Sequence, residues 1–212
     1  MRGTVRQVCL ALDHRQTCLY SQGMSAPKIE GSARDRLLGA ADELFYREGV
    51  HRVGIDRVIE RAGVAKASLY SAFGSKEELV LAYLEARAAR RSARILARVA
   101  RYDEPRDRIL SVFDALQERV NEPDFRGCAF VRAASEGPLD DSKVSEVCRA
   151  ARAWTRGLLT ELARDWGAPN PERLAQQLAL LYDGVLVAAS VDRNPGAATE
   201  ARALAERMLD SP

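Results

Sequence analysis

After residue 31 the apolar residues recur with helical spacing along almost the whole chain. Leu37, Ala41, Leu44 and Phe45 form a first stripe, opened by Ser32 and Asp35 in a capping-box arrangement and closed by Gly49. Ile55, Val58, Ile59 and Ala62 come next at i, i+3, i+4 and i+7, which predicts a second, short helix with one apolar face. Gly63 can take the left-handed conformation that ends it, and Val64 turns an apolar side chain back towards the core. The next helix turns Leu69, Ala72 and Phe73 inward. Lys66, Ala67, Ser68, Tyr70 and Ser71 occupy its other faces, and Gly74 stops it. Ser75-Lys76-Glu77-Glu78 is an S-x-x-E signal for a fourth helix running to about Arg101.

The same periodicity continues downstream. Ile109, Val112, Phe113, Leu116 and Val120 predict a helix after Pro105, and residues 127–136 predict a short one. A long helix is expected from about Asp141 to Trp166. Asn170 and Pro171 are an N-cap with proline at the first helical position, and Leu174, Leu178, Leu181, Tyr182, Val185 and Ala189 line one side of the helix they open. After Asn194-Pro195-Gly196 a last helix covers about Ala197 to Leu209. The pattern predicts an all-α protein without internal repeats.

A helix, a tight glycine turn and a second helix with an exposed polar face make a helix-turn-helix, whose second helix fits the DNA major groove. Double-stranded DNA is the expected partner. Contacts sort by chemistry. Lys66 can reach a phosphate or a guanine edge, and Ser68 and Ser71 are short donors and acceptors near the groove floor. Lys76, beside the amides that open the fourth helix, suits a phosphate, and Arg52 and Arg57 are flanking candidates.

Residues 32–85 resemble the N-terminal domain of the tetracycline-repressor (TetR/AcrR) family of bacterial transcription regulators. The resemblance rests on Ala40-Ala41-Asp42-Glu43-Leu44-Phe45, Glu48-Gly49-Val50, Ile59-Glu60-Arg61-Ala62-Gly63-Val64, Leu69-Tyr70, Phe73 and Ser75-Lys76-Glu77-Glu78-Leu79. It implies that the Tyr70 hydroxyl reaches a backbone phosphate while its ring packs. Two places depart from the pattern. Gly54 stands where Thr or Ser is usual, which removes a side-chain cap, and Ala65-Lys66-Ala67-Ser68 replaces the common Ser-Lys-Gly-Thr.

The resemblance also implies a division of the chain. Residues 31–91 would form a three-helix DNA-binding domain, with the helix-turn-helix at 54–73, and residues 92–212 a larger helical domain for ligand binding and dimerisation. The last two long helices are apolar on more than one face, which calls for burial against more than their own domain. In the family such a hairpin pairs with its two-fold mate, and Leu178, Leu181, Val185 and Leu204 are the expected homodimer contacts. A dimer implies a palindromic operator. The family also places an effector between its middle helices. Phe113, Leu116, Cys128, Phe130, Val131, Trp154 and Leu158 are the candidate lining, with Tyr83 or Tyr102 as polar handles. That composition favours an unidentified apolar or aromatic small molecule. The expected function is a ligand-released repressor; the alternatives are a ligand-independent regulator and a helical interaction protein that has lost DNA binding.

Charge and composition narrow this picture. The chain of 212 residues carries 32 Lys+Arg against 30 Asp+Glu, a formal charge of +2, so DNA affinity must come from locally placed cations. No uninterrupted run of about 18 apolar residues exists, so no membrane helix and a cytoplasmic location are expected. The two histidines, His14 and His51, and the absence of nucleophile, zinc or Walker motifs argue against an enzyme, a metal site or a cofactor. Cys9, Cys18, Cys128 and Cys148 lack metal spacing. Cys128 and Cys148 read as small core residues, with a redox thiol as the alternative. The arginine-rich run Arg87, Arg90, Arg91, Arg94 and Arg98 reads as a solvated face. Residues 1–30 lack helical periodicity and read as an extension or disordered arm, with translation starting at Met1 or Met24. A minor-groove arm is the functional alternative.

Overall fold

The computed structural model describes residues 31–136 and 143–210. The expected extension over residues 1–30, with Met24, Cys9 and Cys18, and the expected helix start near Asp141 lie outside the described residues. Among the described residues the chain is all-α. The helices are α1 (Ala33–Glu48), α2 (Ile55–Ala62), α3 (Lys66–Phe73), α4 (Lys76–Val99), α5 (Pro105–Val120), α6 (Ala129–Glu136), α7 (Lys143–Trp166), α8 (Pro171–Val191) and α9 (Ala197–Asp210).

Local chemistry accounts for the helix ends. Ser32 Oγ accepts from the Asp35 N–H at 3.2 Å while the Asp35 carboxylate accepts from the Ser32 N–H at 3.2 Å, a complete capping box for α1. Asn170 Oδ1 accepts from the Arg173 N–H at 2.9 Å, and Pro171 holds the first position of α8. At the start of α4 only half of the expected box is engaged in this way. The Glu78 N–H donates to Ser75 Oγ at 3.1 Å, whereas the Glu78 carboxylate takes the Lys143 ammonium at 2.8 Å.

The chain forms two compact units. The first takes the described residues to Ala86 together with those between Ala133 and Val147; the second takes Arg87–Arg132 and the described residues from Cys148 onward. This grouping differs from a single cut after residue 91, because a later stretch of chain returns to the first unit. In the first unit α1 packs on α2 and α3 around Leu37, Leu44, Phe45, Val58, Leu69 and Leu79. The Tyr83 ring meets the Phe45 ring edge-on, with centroids 5.6 Å apart. Tyr83 therefore packs in this unit's core.

In the second unit α5 lies against α8 and α9. The inward face of α9 is built from Ala198, Ala201 and Ala205, small enough for close helix approach. Three arginines of the α4 run are not a solvated face here, although Arg90 is exposed. Arg98 pairs with Asp114 and Glu118 at 3.7 and 2.9 Å, Arg94 pairs with Glu122 at 3.3 Å, and Arg91 lies over aromatic rings. Periodicity alone could not show this, since the acidic partners lie beyond α4, on α5 and just after it.

Helix α8 does not overturn the expectation about membranes. By length and composition it could cross a bilayer, with a third of its apolar window buried. Its inward face, through Leu178, Tyr182 and Val185, belongs to the core of the second unit, and Asp183 pairs with Arg152. The other face exposes Leu180, Val187 and Val191. An amphipathic core helix with one uncovered apolar face passes the same test as a membrane span.

Candidate nucleic-acid interface

The turn between α2 and α3 is fixed by backbone hydrogen bonds. Gly63 has φ +62°, its N–H donates to the Glu60 carbonyl at 3.1 Å, and the Val64 N–H reaches the Ile59 carbonyl at 3.3 Å. This is the Schellman arrangement, which needs a left-handed residue where Gly63 stands. Arg36 of α1 donates to the Gly63 carbonyl at 3.2 Å, pinning the turn from the core side. Both short helices lack a side-chain cap, since Gly54 and Ala65 occupy the N-cap positions. The missing cap at Gly54 is the one expected from the sequence, and Ala65 adds a second.

Leu69 and Phe73 anchor α3 in the core, and the Arg34 guanidinium covers the Phe73 ring at 4.9 Å. Lys66, Ala67, Tyr70 and Ser71 face outward, with Ser68 half-buried. This face can offer one cation, two hydroxyls and a phenol to a groove. The Lys66 ammonium lies 3.2 Å from the Asp56 carboxylate. Both groups are well exposed, so the pair is weak and exchangeable.

The flanking cations differ in availability. Arg52 is exposed on the turn before α2. Arg57 is engaged by a two-pronged contact with Glu48, at 2.6 and 2.9 Å, which raises the arginine pKa and lowers that of the carboxyl. A phosphate would have to displace Glu48 to use it. Lys76 is half-buried; burial pushes its pKa down, and the nearby Glu136 charge opposes that. Asp56, Glu48 and Glu136, which tune these cations, have no signature in the sequence. Asp56 and Glu48 lie 10 and 9 positions from the cations they meet, and Glu136 lies 60 positions from Lys76.

The residues expected around an effector do not share one environment. Phe113, Leu116 and Leu158 are deep in the core cluster of the second unit, and Trp154 packs at its edge. Phe130 is buried, Cys128 is half-buried, and Val131 is 43% exposed and turned to solvent. Tyr102 is half-buried. Cys148 is buried, as a core thiol should be. Among the expected dimer contacts, Leu178 is 0% and Val185 3% exposed within one chain, so they cannot present a surface to a partner. They pack inward because the i, i+4, i+7 face that carries them covers α5 and α9. Leu181 is partly buried against the same core, whereas Leu204 is exposed. Among the described residues no group of His, Cys, Asp or Glu is arranged to hold a metal ion.

Comparison with known proteins agrees with this geometry. The family model described as bacterial regulatory proteins, tetR family, matches residues 37–83. The HTH-type transcriptional activator FasR of Mycolicibacterium smegmatis is 30% identical over 171 residues, covering 81% of this chain and 74% of its own. A TetR-family transcriptional regulator of Streptomyces coelicolor superposes with a TM-score of 0.79 at 31% identity, over 87% of this chain and 97% of that one. A tetR-type regulator of Streptomyces avermitilis gives 0.71 at 34% identity, over 83% and 99%.

Proposed function

Because this chain belongs to the tetR family of bacterial regulatory proteins, whose members are DNA-binding transcriptional regulators and not enzymes, we propose that it acts as a homodimeric repressor of a palindromic operator, released by a small molecule bound in its second unit. The observation that carries the reading is the outward face of α3, where Lys66, Tyr70 and Ser71 stand clear of the core while Leu69 and Phe73 fix the helix. Lys66, Ser68, Ser71 and Tyr70 are the proposed groove contacts. Lys76 and Arg52 are the proposed phosphate contacts, with Arg57 joining only if Glu48 is displaced.

A second feature supports dimerisation. Leu180, Gly184, Val187 and Val191 are exposed along α8 at spacings of four, three and four, an apolar seam beside the exposed Leu204 of α9. This seam replaces Leu178 and Val185 as the proposed interface. Two α3 helices held about 34–36 Å apart would read successive major grooves. An effector releases DNA only if it binds the DNA-incompetent state better, and a tenfold release needs about 1.4 kcal/mol of differential affinity. Activation is the second reading, favoured by the name of the M. smegmatis relative.

Footprinting on the DNA upstream of the protein's own coding sequence tests the reading directly. A protected palindrome is expected. Lys76→Ala should weaken binding to all duplexes alike and reduce the salt slope by about 1. An unchanged slope would remove Lys76 from the interface, and the absence of any protected site would remove the operator.

A further inference from the structure

The second unit contains a cation and a hydroxyl that its own chain leaves without the partners their burial calls for. The Arg91 guanidinium lies 4.8 Å from the Phe130 ring centroid and 5.9 Å from that of Trp154, and it donates to the Ala151 carbonyl. Among the described residues it makes no ion pair, and its Nε, buried, has no hydrogen-bond partner. One helical turn along α7 from Ala151 stands Thr155, 5% exposed, whose Oγ1 is likewise buried without a partner. The i, i+4 relation puts Thr155 on the same face of α7 as Ala151, whose carbonyl the guanidinium meets. Tyr182, 6% exposed, faces the same charge: burial raises its phenol pKa and Arg91 acts against that rise.

Each of these would be costly in a unit meant only to be packed. A buried hydroxyl without a partner forfeits its hydration and gains nothing in return, and a half-buried cation lacking a counter-charge forfeits more. The neighbouring α4 arginines Arg94 and Arg98 both have carboxylate partners, although the Arg98 Nε is, like that of Arg91, buried without a hydrogen-bond partner. Arg91 differs in having no carboxylate partner among the described residues, and its planar fork suits one. The flanking rings supply an apolar, aromatic wall.

We propose that the second unit binds an organic carboxylate with an aromatic body, its carboxylate held by Arg91 and Thr155 and its ring set against Phe130 and Trp154. The inference rests on the reading of this unit as the effector-binding part and gives that effector a charge. It replaces an unidentified apolar or aromatic molecule with an aromatic anion.

Titration of the full-length protein with 2-naphthoate and with its neutral match 2-naphthamide, monitored by calorimetry and by the fluorescence of Trp154 and Trp166, tests it. The carboxylate is expected to bind at least about tenfold more tightly than the amide, because only it can take the charged hydrogen bonds. Arg91→Gln should abolish that preference, and Arg91→Lys should retain part of it. Thr155→Val removes the unsatisfied hydroxyl without changing shape. It should weaken 2-naphthoate binding about tenfold while leaving the thermal midpoint of the ligand-free protein equal or higher. Equal binding of amide and carboxylate, no saturable binding of 2-naphthoate at millimolar concentration, or a Thr155→Val variant that melts lower and binds normally would each overturn the proposal. Carboxylate binding that depends on Arg91 but does not release the operator would uphold this site and overturn the ligand-released reading instead. Release by the amide alone would do the reverse.

Discussion

The carboxylate of Glu136, the last residue of α6, accepts a hydrogen bond from the backbone N–H of His51 at 3.1 Å. The contact exists because position 49 is glycine. Gly49 has φ +100°, and a Cβ there would come within 2.5 Å of the Glu136 carboxylate. A residue distant in sequence thus holds the turn that leads into α2, and its charge also reaches Lys76. Glu136→Ala should cost about 1 kcal/mol of stability, since the freed N–H lies where water can replace the acceptor. Gly49→Ala should cost more, because it adds left-handed backbone strain to the clash. Urea denaturation of both variants checks the order. Equal midpoints for Glu136→Ala and the parent would mean that the tie contributes nothing in solution.

Asp56 tests whether Lys66 is held back from DNA. Their contact at 3.2 Å is exposed, so Lys66 can leave it for a phosphate, but the Asp56 charge would remain close to the DNA. Asp56→Asn should tighten binding to every duplex by up to about fivefold at low salt, roughly 1 kcal/mol of relieved repulsion. The gain should fade as ionic strength rises. The substitution also gives up a favourable charge in the first turn of α2, so a slightly lower melting midpoint is expected alongside. Electrophoretic mobility shifts at two salt concentrations decide it, and unaltered affinity at low salt would place Asp56 and Lys66 away from the DNA.

The missing caps offer a third prediction. Ala65 has φ −73° and ψ 150°, a geometry in which a serine hydroxyl could accept from the first turn of α3. Ala65→Ser should stabilise the protein by about 1 kcal/mol. Gly54→Ser should gain only a few tenths, because glycine is itself an acceptable N-cap; a Cβ there meets nothing within 4 Å. Calorimetric melts should rank Ala65→Ser first. A destabilised Ala65→Ser would mean that the chain needs alanine at that position.

The parts of this protein that are legible in its sequence are those decided within one or two helical turns. The glycine at 63, the capping box at Ser32 and the Asn170-Pro171 start of α8 each act on backbone groups a few residues away, so pattern and geometry coincide. What the sequence hides is pairing across helices. The arginines of α4 look solvated until Asp114 and Glu118 of α5, and Glu122 just beyond it, are placed beside them, and Lys66 looks free until Asp56 is placed beside it. The two apolar faces of α8 are both visible as periodicities, but nothing in the pattern says which of them the chain itself covers. For that reason periodicity puts Leu178 and Val185 at an interface, whereas they lie in the core.

That distinction yields a test of assembly with opposite outcomes on the two faces. Leu180 and Val187 are 65% and 57% exposed, so Leu180→Glu or Val187→Glu should leave the fold of one chain intact. In a dimer either carboxylate would be buried in an apolar seam without a partner, which single subunits avoid. Light scattering should therefore report monomers that melt cooperatively, and operator affinity should fall towards non-specific levels because only one half-site is read at a time. Val185→Glu puts the same charge into the core and should unfold the chain instead. Gly184 sharpens the argument. Alanine there would meet nothing within 4 Å in the single chain, and it should strengthen the helix by about 1 kcal/mol. If a second α8 packs closely across Gly184, Gly184→Ala will raise monomer stability yet weaken the dimer. A Leu180→Glu variant that stays dimeric, together with a neutral Gly184→Ala, would move the interface off this face of α8.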